Sequence, residues 1–69
     1  MKNKNLINAR KRKGLTQSEL GKQVDVEKTT VSNWENYRSV PPMERAFKVA
    51  RILEEDVDYL FFSQIENKS

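Results

Sequence analysis

The chain has no cysteine and no histidine. Without thiols there is neither a disulfide framework nor a thiolate metal site. Without imidazole the commonest general base and the commonest metal ligand are missing. No nucleophile–base constellation can be assembled from what remains, and so small a chain offers no pocket-sized core, so an enzyme is a poor reading. Glycine and proline occur only twice each, as Gly14, Gly21, Pro41 and Pro42, and tryptophan once, as Trp34. No apolar run approaches the roughly 20 residues of a membrane span. The opening MKNKNLIN lacks the apolar segment of a secretory leader, so a cytoplasmic location is expected. A length of 69 residues makes one domain at most. The hydrophobic fraction of 36% suffices for one compact core, which at this size needs well-packed helices or association between chains.

Charge is present and unevenly spread. Residues 1–40 hold nine Lys/Arg against four Asp/Glu, a balance of +5. Residues 41–69 hold four against six, a balance of −2. A basic half suits a polyanion partner, because each neutralised phosphate releases counterions. A solvated surface would carry such charges as well, since 33% of the residues are charged.

The chain is organised around Thr16 to Glu35, two short amphipathic helical patterns with a few residues between them. Thr16-Gln17-Ser18-Glu19 is a capping-box sequence: the Thr hydroxyl accepts from the Glu19 N–H, and the Glu carboxylate reaches back to the Thr16 N–H. Leu15 and Leu20 are spaced for a hydrophobic staple. The second pattern sets Val31 and Trp34 on one face and Lys28, Thr29, Ser32 and Asn33 elsewhere. A buried helix that presents a second, polar-faced helix is the design of a helix-turn-helix.

Taken in order, Met1 to Asn5 reads as a polar, frayed start. A helix is predicted over 5–13, with Leu6 and Ala9 inward and Arg10 on the same side. Lys11, Arg12 and Lys13 complement its C-terminal dipole, and Gly14 follows as a left-handed C′ residue. The second helix spans 17–23 or 17–24. Gly21 in its interior costs about 0.5–1 kcal/mol relative to Ala, which close approach of the following helix would justify. Asp25-Val26-Glu27 is the turn, with Val26 filling the space between helices. The third helix covers 28–36, anchored by Val31 and Trp34. After a polar loop, Pro42 starts a fourth helix ending at Leu53 or Glu54, with an inward stripe of Met43, Ala46, Phe47, Ala50 and Leu53. Asp56 caps a short fifth helix over 57–62, with Val57, Leu60 and Phe61 inward. Capping and the dipole also account for the carboxylates Glu54, Glu55, Asp56 and Asp58 better than metal binding does. Residues 1–62 form the domain and 63–69 a polar tail.

With these residues in view, the chain resembles the Cro/C1-type, phage-repressor-like (XRE) helix-turn-helix proteins from about Leu6 to Phe62. The Arg10 helix, Gly14-Leu15-Thr16-Gln17-Ser18-Glu19-Leu20, Val26 and Val31-Ser32-Asn33-Trp34-Glu35-Asn36 carry the resemblance, together with the Pro-initiated helix and Val57-Asp58-Tyr59-Leu60-Phe61. It implies a compact all-α fold of five helices, with helix 3 in the major groove and helix 2 across the backbone. Carried over, the base-facing positions are Lys28, Thr29, Ser32 and Asn33. Lys28 suits guanine O6/N7 or a phosphate, Asn33 suits adenine N6/N7, and the Thr29 methyl suits thymine. Gln17, Asn36 and Arg38 are implied phosphate contacts, which set register rather than specificity. Arg10 and Glu35 stand where similar proteins form an internal ion pair. The chain departs from the family at four places: Gly21 where Ala is usual, Asp25 and Glu54 where Gly is common, and Glu27 where a small polar residue is frequent.

The resulting expectation is a sequence-specific double-stranded DNA-binding regulator, a repressor acting as a homodimer on a two-fold operator, with no cofactor and no small-molecule ligand. Half-sites one helical turn apart multiply what one recognition helix can achieve. The dimer surface is expected from helix 5 and the helix 3–4 loop, at Tyr59, Phe61, Phe62 and Ile65. The alternative is a protein-binding module, such as an antitoxin or anti-repressor, on the same fold.

Overall fold

The computed structural model describes residues 1–63. They form α1 (Lys4–Arg12), α2 (Gln17–Gln23), α3 (Lys28–Glu35), α4 (Met43–Leu53) and α5 (Val57–Phe61), with no strand among the described residues. These bounds fall within one residue of those the sequence predicts. No helix among the described residues is long and apolar enough to cross a membrane.

The first four helices all end the same way. At α1 the Gly14 N–H donates to the Lys11 carbonyl at 2.9 Å and the Leu15 N–H to the Arg10 carbonyl at 3.2 Å, the paired bonds of a Schellman motif. The pairing recurs after α2 (Asp25 to Lys22, Val26 to Gly21), after α3 (Tyr37 to Trp34, Arg38 to Asn33) and after α4 (Glu54 to Arg51, Glu55 to Ala50). The motif needs one residue with positive φ, and here these are Gly14 (71°), Asp25 (60°), Tyr37 (58°) and Glu54 (58°). Three of the four therefore carry the left-handed penalty of a side chain, of order 1–2 kcal/mol each.

The core gathers one face of every helix: Leu6 and Ala9, Leu20 and Val24, Val31 and Trp34, Ala46, Val49, Ala50 and Leu53, Leu60 and Phe61. Trp34 and Phe61 meet edge to face at 6.2 Å, a geometry that adds to the area both rings bury. The inward stripe of α4 differs from the one expected. Met43 and Phe47 are 52% and 50% exposed, while Val49 is fully buried. The helix is apolar around much of its circumference, and the face with two alanines wins because small side chains let it approach closely. Met43 and Phe47 are left on the neighbouring face.

The expected frayed start, Met1 to Asn5, is fixed from Asn3 onward. Asn3 is 2% exposed. Its Oδ1 accepts from the Leu6 N–H at 3.1 Å and so N-caps α1. Its side-chain amide donates to the Leu60 carbonyl at 2.7 Å, and its backbone N–H donates to the Glu35 carbonyl at 2.8 Å. Asn5 donates in turn to the Tyr59 carbonyl at 2.9 Å. Asn3, the N-cap of α1, and Asn5 within it thus satisfy carbonyls of the five-residue α5, which is too short to hold itself together.

The acidic cluster after α4 also needs a correction. Asp56 is the N-cap residue of α5, but its side chain makes no cap hydrogen bond. Glu55 pairs with Arg12 at 2.6 Å and Glu54 with Lys13 at 2.9 Å. These carboxylates answer the basic end of α1, and both pairs are solvent-accessible, where such bridges contribute about 0–1 kcal/mol.

Candidate nucleic-acid interface

The candidate interface begins with how α2 is started. The Thr16 hydroxyl accepts from the Glu19 N–H at 3.0 Å, and a Glu19 carboxylate oxygen accepts from the Thr16 N–H at 2.9 Å. The expected capping box is present on both arms. It places Gln17 at the first position of α2.

The distance between α2 and the α2–α3 turn is set by Gly21. A Cβ at this position would lie 2.7 Å from the Val26 carbonyl oxygen, closer than real Cβ contacts come. The close neighbour is therefore the turn backbone rather than the following helix itself. The Val26 N–H donates back to the Gly21 carbonyl at 2.9 Å, so turn and helix are tied at the point of nearest approach.

Behind the interface lies a buried charge network. The Arg10 guanidinium forks onto Glu35, with Nε to Oε2 at 2.6 Å and Nη2 to Oε1 at 3.3 Å. Arg10 Nη1 donates to the Leu15 carbonyl at 2.8 Å, and the Gln17 side-chain amide donates to Glu35 Oε1 at 2.9 Å. One carboxylate thus joins α1, the start of α2 and the end of α3. A buried pair does not by itself guarantee net stability, but stranding one charge costs about 3–5 kcal/mol.

In front of that network, α3 turns its polar face outward. Lys28 and Thr29 are exposed, Ser32 and Asn33 half-buried, and Val31, Trp34 and Glu35 close off the back. Positions 28, 29, 32 and 33 share one face by i, i+3 and i+4 spacing. Among the described residues the side chains of Lys28, Thr29 and Asn33 have no hydrogen-bond partner. Ser32 is engaged: its backbone carbonyl accepts from the Asn36 amide at 2.9 Å and its hydroxyl at 3.4 Å.

The three residues assigned to phosphates differ in what they have left to offer. Gln17 spends one amide hydrogen on Glu35 and lines, with Lys28, Lys11 and Ser18, an open groove of about 670 Å³ at the N-terminal end of α3. Asn36 caps the other end of α3 and bonds within the chain. Arg38, just beyond, is exposed. Gln17 therefore spans α3, bonding Glu35 at its last turn while lining a groove with Lys28 at its first, and Arg38 lies just past its C-terminal end. Burial raises the Tyr37 phenol above its ordinary value, so Tyr37 is neutral at physiological pH and adds no negative charge beside Arg38.

Two further residues matter that the sequence reading did not single out. Ser18 joins Gln17 and Lys28 in the groove. Arg45 of α4 donates through Nη1 to the carbonyls of Val24, at 2.6 Å, and Asp25, at 3.3 Å. Neither has a local signal, because both roles depend on which elements the fold brings together.

The surface assigned to dimerisation divides. Phe61 is 5% exposed and packs on Trp34, so it belongs to the core of its own chain. Phe62 is half-buried against that core. Tyr59 remains at the surface at 36% exposure. Ile65 lies outside the described residues.

A short helix backed by a buried network, with Lys28, Thr29 and Asn33 unengaged on its outer face and α2 packed against it, has the design of a helix-turn-helix DNA-binding protein. A family model described as helix-turn-helix matches residues 6–60. The chain belongs to the Cro/C1-type (XRE) helix-turn-helix family, whose members are DNA-binding regulators rather than enzymes. No curated protein and no solved structure gives a significant match.

Proposed function

We propose that this protein is a sequence-specific transcriptional repressor that binds a two-fold operator as a homodimer, with α3 in the major groove, and that it works in the cytoplasm. One observation carries the reading. On a helix whose back is locked by Val31, Trp34 and the Arg10–Glu35 pair, three of the side chains that could read bases, Lys28, Thr29 and Asn33, have no partner among the described residues. Asn33 reads adenine, the Thr29 methyl meets thymine, and Lys28 takes guanine or a phosphate. Ser32 lies beside them and contributes less, because Asn36 already holds it. Gln17 and Arg38 grip the backbone on either side, and Asn36 supports Arg38 by capping the helix end.

Dimerisation is supported by surface the small core leaves uncovered: Val40 in the α3–α4 loop, Met43 and Phe47 on α4, and Tyr59 on α5. This keeps the α3–α4 loop and α5 but adds α4, and moves the weight from Phe61 to Met43 and Phe47. The same apolar surface favours the second reading, in which the fold holds a partner protein as an antitoxin or anti-repressor does.

Selection of bound sequences from a random duplex library tests the proposal. A symmetric consensus with a steep fall of affinity with salt supports the repressor; a negligible DNA response supports the protein-binding module. Within a DNA-binding outcome, Asn33→Ala relaxes preference at one base position and Arg38→Ala weakens all sequences alike. Uniform loss in both variants removes Asn33 from base readout.

A further inference from the structure

We propose that Arg45, on α4 and outside the helix-turn-helix, is a positioning residue that sets where the reading edge of α3 begins. This rests on the DNA-reading role of α3 proposed above.

The turn between α2 and α3 has little to hold it. Asp25 occupies the left-handed region at φ 60°, where a side chain is tolerated less well than none. The Asp25 N–H reaches the Lys22 carbonyl only at 3.4 Å. Glu27, the N-cap residue of α3, makes no side-chain cap bond. From the α2 side the turn is gripped by the close approach of Gly21 to Val26.

Arg45 grips it from the opposite side. Its Nη1 meets the carbonyls of Val24 and Asp25, the first two peptide oxygens after α2 as the chain enters the turn. Val24 is the C-cap of α2, so the cation also sits at the negative end of that helix. Arg45 lines one groove with Asp25, Val26, Glu27 and Thr30, the residues at the entrance to the reading edge. One end of the guanidinium, Nη1, is engaged inside the molecule.

Lys28 follows Asp25 by three residues and is the first residue of α3. A small rotation at Asp25 therefore displaces Lys28 and Thr29 first, whereas Asn33 is one helical turn further along. Contacts to base edges tolerate only about half an ångström of misplacement. Arg45 thus affects base preference without touching a base.

The test uses the full chain with Arg45→Met, which keeps the stem and removes donor and charge, and Arg45→Lys, which restores a cationic donor. Amide exchange and binding to the selected operator and its single-base variants are both measured. Arg45→Met is expected to speed exchange at Asp25 and Val26 relative to α1 and α5. It should cut discrimination at the base positions nearest Lys28 and Thr29 about tenfold, within the usual cost of a mismatch, and leave the salt dependence unchanged. Arg45→Lys should recover most of both effects.

Unchanged exchange at the turn overturns the proposal. So does a uniform loss of affinity in which the salt slope falls by about 0.9, the signature of one lost phosphate contact. Should Arg45→Met not fold, wild-type exchange decides: Asp25 and Val26 amides that open only with the whole domain support the brace, and fast local opening overturns it. A chain without DNA affinity defeats the DNA reading, while exchange at the turn still judges the brace.

Discussion

The two glycines stand seven positions apart and answer opposite needs. Gly14 has φ 71° and nothing near the place a Cβ would occupy. Its value lies entirely in the backbone conformation it permits. Gly21 sits in an ordinary helix, and its value is the space it leaves for the Val26 carbonyl. One replacement would strain a dihedral angle and leave packing alone. The other would leave the angle alone and strain packing.

That contrast orders three expected outcomes. Gly21→Ala has the largest effect, because the atom in the way belongs to the backbone and the turn must shift. Overpacking of this kind costs about 1–3 kcal/mol, of which better helix propensity returns less than about 1 kcal/mol. Urea denaturation should show the net loss as a lower midpoint at unchanged slope. Gly14→Ala should cost about 1 kcal/mol, the left-handed penalty alone, and leave the α2–α3 unit and its DNA preference intact. A change of base preference in this variant would show that the two glycines are not separable.

Glu54→Gly has the smallest effect and the opposite sign. Glu54 fills after α4 the role Gly14 fills after α1. Glycine relieves the strain there by about 1 kcal/mol, less the contribution of the exposed pair with Lys13, which is a few tenths. A net gain of about 0.5 kcal/mol in thermal or urea melts is expected, growing at high salt where the lost pair matters less. A net loss would assign that pair more weight than its exposure suggests.

The features legible in the sequence were those whose partners lie within a turn or so. The Thr16–Glu19 capping box joins residues three apart, and Gly14 needed only its neighbours, so both could be read directly. The outward face of α3 followed from Val31 and Trp34 behind it. The ion pair of Arg10 with Glu35 came from family resemblance and stands as a buried fork. Features decided between elements were not legible. Arg45 meets carbonyls 20 and 21 residues away. On α4, apolar positions surround so much of the helix that periodicity could not choose between the Val49 face and the Met43–Phe47 face. Tyr37 offers no residue-type signal for positive φ; it adopts the left-handed region because α3 ends there and the chain must reverse.

Asn3 ties the beginning of the chain to Leu60, 57 residues later. Bringing such distant positions together costs of order 3–4 kcal/mol in chain entropy, so the seam closes only after the intervening helices have made the ends neighbours. Contacts of that kind contribute to how slowly a protein opens more than to how quickly it forms. The lifetime of the folded domain is therefore expected to depend on the Asn3–Leu60 seam, and Asn3→Ala should speed unfolding while leaving α2 and α3 in place.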